Sequence, residues 1–165
     1  MSITRITPLT NDSGNNTDGT VVNANFITTM YDQIDVLVSN WTAITFAAGN
    51  FTGNGAMTVT VASGDVKRNR YQLINKTLHW QFTGRTITVG GTPNTQFLFL
   101  IPTGTFSDAE SRSFNVQVSD NGTLRDAQAQ VVDGTHLGVL RQDGSNWTAS
   151  TDLTNIAFDV MFELT

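Results

Sequence analysis

Few residues in this chain have the types and spacing for catalysis. His79 and His136 are the only histidines. A metal centre needs three or four converging ligands, and neither histidine has a carboxylate or a second histidine at ligand spacing. His79 falls on the polar side of an alternating segment, so both read as exposed or hydrogen-bonded strand histidines. A serine–histidine–aspartate triad assembles from distant positions, and the Gly-x-Ser-x-Gly elbow that would betray one is missing. Glycoside hydrolysis requires two carboxyls about 5 to 10 Å apart across a cleft. Asp159 and Glu163 share one strand face, but the rise of a strand separates them by about 13 Å. Asp108 and Glu110 fall in an expected loop. The turns Asp120-Asn-Gly122 and Asp143-Gly-Ser145 could offer oxygens to Ca²⁺, yet they lack the alternating acidic ligands of a dedicated loop and read as ordinary turns. No catalytic residue, metal site or cofactor is expected, and the chain reads as a non-enzyme.

Binding chemistry is better represented. Trp41, Trp80 and Trp147 are the three tryptophans, and carbohydrate-binding sandwiches stack sugars on exposed aromatic faces beside Asn, Asp and Gln. Trp80 alternates with Leu78 and Phe82 and belongs to a core. Trp41 and Trp147 follow Asn40 and Asn146 in matching Asn-Trp-Thr sequences at strand edges. They are the two candidate glycan contacts, although capping the end of a sandwich is the blander role for each. The Asn-x-Ser/Thr sequons, which include Asn50, Asn75 and Asn121, follow from abundant Asn and Thr and carry no glycosylation signal.

Composition narrows the class. The chain has 165 residues, of which 14% are charged, with a net charge of −5 and no cysteine. Nine basic residues do not make the concentrated positive footprint that nucleic acid requires. The one basic cluster, Lys67, Arg68 and Arg70, reads as a solvated turn flanking a strand. Disulfides and thiolate metal sites are impossible. The first residues lack the apolar run of a secretory signal, and no segment approaches the roughly 20 apolar residues that span a membrane. Synthesis in the cytoplasm is expected, with any exit as part of a larger particle.

Three regions must position these residues. Residues 1–20 form a polar, Asn/Asp/Ser/Thr-rich stretch expected to be an extended arm, with Ile3, Ile6 and Leu9 as the apolar groups it offers a partner. Residues 21–40 read as one connector helix with Asn23 as N-cap. Ile27, Met30, Ile34 and Leu37 make a narrow 3-4-3 stripe, the pattern of an inter-helix seam or a docking face. Residues 41–165 alternate with period two. A short first strand is expected over 42–46, followed by Met57/Val59/Val61, Leu78/Trp80/Phe82, Phe114/Val116/Val118 and Ile156/Phe158/Val160/Phe162/Leu164 on core faces. Gln96-Phe-Leu-Phe-Leu-Ile101 is apolar on both faces, so it is either a covered central strand or one facing another subunit through Phe97 and Phe99. Gly53-Asn-Gly55, Gly90-Gly91, Asp120-Asn-Gly122, Asp133-Gly134 and Asp143-Gly144 read as turns, and Asn75-Lys76 as a tight hairpin with Asn75 left-handed. The expectation is an all-β head of nine or ten strands, an antiparallel β-sandwich of jelly-roll type, preceded by the arm and the single helix.

The segments Gly19-Thr-Val-Val-Asn-Ala24 and Tyr31-Asp-Gln-Ile-Asp35 resemble the connector of structural proteins of tailed bacteriophages. There it precedes a β-sandwich whose core hairpin runs Arg-Tyr-x-x-Ile-Gly-Lys-x-Val/Leu. The chain has Arg70-Tyr-Gln-Leu-Ile-Asn-Lys-Thr-Leu78, with Asn75 in place of the usual Gly, a change that a left-handed turn position tolerates. The strand Trp41-Thr-Ala-Ile-Thr-Phe46 and the terminal Asp159-Val-Met-Phe-Glu-Leu164 are also similar to that family. The resemblance covers roughly residues 19–165. It implies a virion protein, commonly a homotrimer, of the capsid decoration (cement), head-fibre or tail-fibre type. A chain beginning at Met1 without a long shaft is expected to be a complete short protein, which favours decoration. The expected partners are two further copies of the chain and other virion proteins, either the major capsid protein or a tail component. Ile27, Met30, Ile34, Leu37, Phe97 and Phe99 are the expected oligomer interface. The alternative is a fibre tip that binds host surface carbohydrate.

Overall fold

A computed structural model describes residues 41–106 and 113–165. The arm residues Ile3, Ile6 and Leu9, the helical stripe Ile27, Met30, Ile34 and Leu37, and the Asp108/Glu110 pair lie outside the described residues. Ten strands follow in order: β1 Thr42–Ala43, β2 Phe51–Gly53, β3 Met57–Thr60, β4 Val66–Ile74, β5 Thr77–Gly91, β6 Gln96–Leu100, β7 Ser113–Asp120, β8 Thr123–Asp133, β9 His136–Arg141 and β10 Ser150–Glu163. Two single 3₁₀ turns, Ala48–Asn50 and Ser63–Asp65, are the helical elements among them. No helix among the described residues is long and apolar enough to cross a membrane.

All ladders are antiparallel and run as one sheet in the order β1-β4-β5-β10-β7-β8-β9-β6-β2, with β3 pairing β5. The all-β expectation therefore holds, as one curled sheet. Curling arises in the two longest strands. Along β5 the buried side begins with Leu78, Trp80 and Phe82 and resumes at Ile87 and Val89, so its parity changes between them. The switch sits at Thr86, whose φ is 58°. Thr86 is held there because its amide donates to Asn155 Oδ1 at 3.0 Å and its hydroxyl to Asp65 Oδ1 at 2.8 Å. In β10 the register slips at 150–156, around Asp152 with φ 56°. Such bulges bend a strand and re-aim its side chains. The first half of β5 thus pairs β4, and the second half pairs β3. The short link from β2 to β3 then connects the β2 edge of the sheet, through β3, to the second half of β5.

The inside of the curl is an aromatic core. Phe99 lies within ring contact of Phe51, Trp80, Phe82, Phe97 and Phe158, at centroid distances of 4.9 to 6.4 Å. Most of these pairs meet edge-on, the geometry the ring quadrupole favours. The five alternating residues of the C-terminal segment, Ile156, Phe158, Val160, Phe162 and Leu164, are all buried.

Several details differ from the sequence-based expectation. Phe97 and Phe99 are fully buried inside the curl, so they do not form an oligomer interface. The strand is central, between β9 and β2, and its outward side chains are Leu98 and Leu100. Gly90-Gly91 is the end of β5 and not an isolated turn, because Thr58 and Met57 pair with it directly. The first strand shrinks to Thr42–Ala43, and the basic cluster lies within β4.

Candidate functional site

The polar outer face of β4, β5 and β10, with Trp41 beside β1, holds the most developed side-chain constellation. The Asn75-Lys76 turn sets Arg70 opposite Gln81 and Gln72 opposite His79. The β10 ladder then places Asp159 opposite Gln81 and Met161 opposite His79. A continuous chain results. Arg70 Nε donates to Gln81 Oε1 at 2.9 Å, and Gln81 Nε2 donates to Asp159 Oδ2 at 2.7 Å. The second oxygen of Asp159 accepts a short hydrogen bond from His79 Nε2. Trp41 closes the group. Its ring lies edge-on to His79 at 4.7 Å, and the Arg70 guanidinium sits 4.4 Å from its centroid. A shallow depression continues the site along Arg68, Gln81, Thr83, Ala157 and Asp159.

The half-buried indole can stack a planar or ring-shaped ligand, and the Asp159 carboxylate across His79, with 59% of its side chain exposed, can accept hydrogen bonds from one. The imidazole–carboxylate pair has the form of a base and its orienter. However, the residues opposite His79 across its two ladders are Gln72 and Met161, and neither is a nucleophile.

The other candidates separate. Trp147 is 2% exposed, packs on Phe97 at 5.8 Å and donates its indole N–H to the Val139 carbonyl. It caps the core and presents no face to a sugar. Asp159 and Glu163 share the exposed side of β10, with Met161 between them.

The two Asx turns, read from the sequence as ordinary turns and not as calcium loops, converge on a cation of the chain itself. Arg141 Nη1 donates to Asp120 Oδ2 at 3.0 Å and Nη2 to Asp143 Oδ2 at 2.6 Å. Asp120 is buried and also accepts from the Thr148 amide and hydroxyl, at 3.0 and 2.9 Å. This node fastens the loop after β9 to the β7–β8 turn. The contact of Asp143 with Ser145 and Arg141 holds its carboxyl below the usual range. His136 pairs locally with Asp133 at 3.0 Å. Partial desolvation pushes the Asp133 carboxyl up, but hydrogen bonds from Thr135 and the His136 contact together outweigh it and hold the group below the ordinary value. Among the described residues no three His, Cys, Asp or Glu converge as a metal site.

Compared with protein families, with curated proteins and with solved structures, the chain matches none.

Proposed function

We propose that the chain is a non-enzymatic structural protein of a tailed-phage virion. In this reading it is made in the bacterial cytoplasm, decorates the capsid as a trimeric cement protein, and attaches to the major capsid protein through residues 1–20. The observation that carries the reading is the hairpin Arg70-Tyr-Gln-Leu-Ile-Asn-Lys-Thr-Leu78. It forms a hairpin with a two-residue link within an antiparallel all-β head, and Asn75, which stands where the resembled family usually has Gly, adopts the left-handed conformation, φ 55°. In this reading the curled sheet is a jelly-roll sandwich and the assembly a trimer, with an expected mass of three times the 17.9 kDa of the chain.

Quantitative mass spectrometry of purified virions from the genome that encodes the chain tests the role. A copy number comparable with that of the major capsid protein supports decoration. Absence from the virions overturns the reading.

A tail-fibre or head-fibre tip that binds host carbohydrate is the second reading, favoured by the half-buried Trp41, whose neighbours Arg70 and His79 link it to Gln81 and Asp159. It predicts a handful of copies per virion, and tryptophan fluorescence that responds to host surface glycan in the native chain but not in Trp41→Ala.

A further inference from the structure

The chain enters the β head through its shortest strand. β1 is two residues long, both exposed, and its ladder with β4 sets Thr42 opposite Tyr71 and Ala43 opposite Arg70. One more backbone bond, from the Ile44 amide to the Asn69 carbonyl at 2.9 Å, extends it. So short a strand on a sheet edge opens readily unless side chains hold it. From Ile44 onward the core supplies that hold: Ile44 and Phe46 pack against it, and Phe46 stacks on Phe51 at 6.1 Å. Ahead of Ile44 the large side chain is Trp41, and its ring contacts lie on the outer face, with Arg70 and His79. Those two partners are themselves framed. His79 on β5 is bonded to Asp159 on β10, and Arg70 on β4 reaches the same carboxylate through Gln81. The indole therefore rests on a support that spans three strands. His79 stands on the outer face, yet its side chain is 22% exposed, against 59% for Asp159.

We propose that Trp41 is a clamp that closes β1 onto β4, with Arg70 and His79 as its seat and Asp159 as the residue that positions the seat. Exposed polar pairs add little to global stability, so the effect of the Asp159 network is local. It holds a guanidinium against the face of the indole and an imidazole against its edge, where each contact is favourable. Closed, the ring is seated and β1 stays paired. Open, the ring leaves its seat, β1 separates, and the backbone of Arg70 and Tyr71 is bared at the sheet edge. Ile44 and Phe46 stay in the core in both states, so the clamp opens without unfolding the head. The entry of the chain into the sheet is thus a two-state element of its own, and it stands independently of the virion reading.

Hydrogen exchange of the full chain, read on peptides covering residues 41–44, tests the clamp. Acrylamide quenching is a second readout, because Trp80 and Trp147 are both buried and Trp41 supplies the accessible emission. Trp41→Ala and His79→Ala should raise exchange over 41–44 at least tenfold and leave β6 and β9 as slow as in the parent. Trp41→Phe should keep most of the protection, since it retains an aromatic face for the guanidinium. Trp41→Leu, which retains bulk alone, should lose it. Asp159→Ala touches neither the ring nor β1, yet should raise both the exchange over 41–44 and the quenching of Trp41. If Trp41→Ala leaves 41–44 as protected as in the parent, backbone pairing and Ile44 hold the segment and the clamp is wrong. An equal rise in β6 and β9 would also overturn it, since Trp41 would then support the whole head. Asp159→Ala that matches the parent in both readouts would overturn the positioning role of Asp159.

Discussion

Asp120 is the described carboxylate that combines near-complete burial with a cationic partner. Its side chain and that of Arg141 are 1% and 9% exposed, and Asp120 also holds the backbone and hydroxyl of Thr148. Arg141 Nε is already buried without a hydrogen-bond partner, so the guanidinium has little left to compensate a further loss. Removing one member of a buried pair leaves the other desolvated and unpaired, which costs about 3 kcal/mol or more. Asp120→Ala should therefore lower the urea-unfolding free energy by about 3 kcal/mol, and Asp120→Asn by less, because the amide still accepts from Thr148. Asp143→Ala removes a half-exposed partner of the same arginine, whose pairing solvent screens, and should lower the urea midpoint by much less than Asp120→Ala does. The Asp133 carboxyl supplies a pH test at the same scale. Its folded value lies below its ordinary one, so its contribution is complete above the ordinary aspartate range and is lost as pH falls through the lower, folded value. An NMR titration should find its midpoint below that of an unstructured aspartate, and Thr135→Val should move it upward. An unshifted midpoint in the native chain would show that the Thr135 hydrogen bonds do not hold in solution.

Turns set the register of the elements, and two of them make opposite demands on substitution. At Asn75 the backbone is left-handed, and Ile74 pairs with Thr77 across the two-residue link. Asn75→Gly should be tolerated, whereas Asn75→Val should cost about 1 to 2 kcal/mol, the usual penalty of that region for a branched side chain. Equal urea midpoints for the two variants would place the turn elsewhere. Gly91 combines φ 65° with a backbone oxygen, that of Ala56, only 2.3 Å from where its Cβ would stand. Gly91→Ala must therefore displace the β3–β5 end and should destabilise more than Asn75→Val does; a neutral Gly91→Ala would show that this end yields freely. The Asn75 hairpin was legible because a two-residue link fixes every pair along both strands, including Arg70 with Gln81 and Gln72 with His79. Gly91 was misread because Gly-Gly is a strong turn signal, and nothing local marks that β3 returns to pair with it. The same limit hid the bulge at Thr86, where a threonine takes the left-handed region under the grip of Asn155 and Asp65.

At the scale of the whole molecule, the alternation of apolar residues identified the inner face of β3, the first half of β5, β7 and β10, because burial on one side of a pleated strand has a strict period of two. It could not tell which strands are neighbours. Asp159 joins His79 and Gln81 only through a ladder that spans about half the chain, and such long-range pairing leaves no local trace. For the same reason Trp41 and Trp147 looked equivalent from their matching Asn-Trp-Thr contexts, although one lies half-buried beside Arg70 and the other is sealed against Phe97. Residues 1–20 raise the last question at this scale, since their sequence has no alternating strand and little apolar surface to give the head. Ile3, Ile6, Leu9 and the backbone donors between them are suited instead to a partner's groove or sheet edge. Ordering such a segment costs entropy, so under the proposed role a single arm would grip weakly, and three arms on the proposed trimer would gain by avidity. Deleting residues 1–20 should keep the melting temperature within a few degrees and abolish co-sedimentation with virions that lack the protein. If the shortened chain still binds those particles as well as the full one, attachment belongs to the β head, and the cement role loses its anchor.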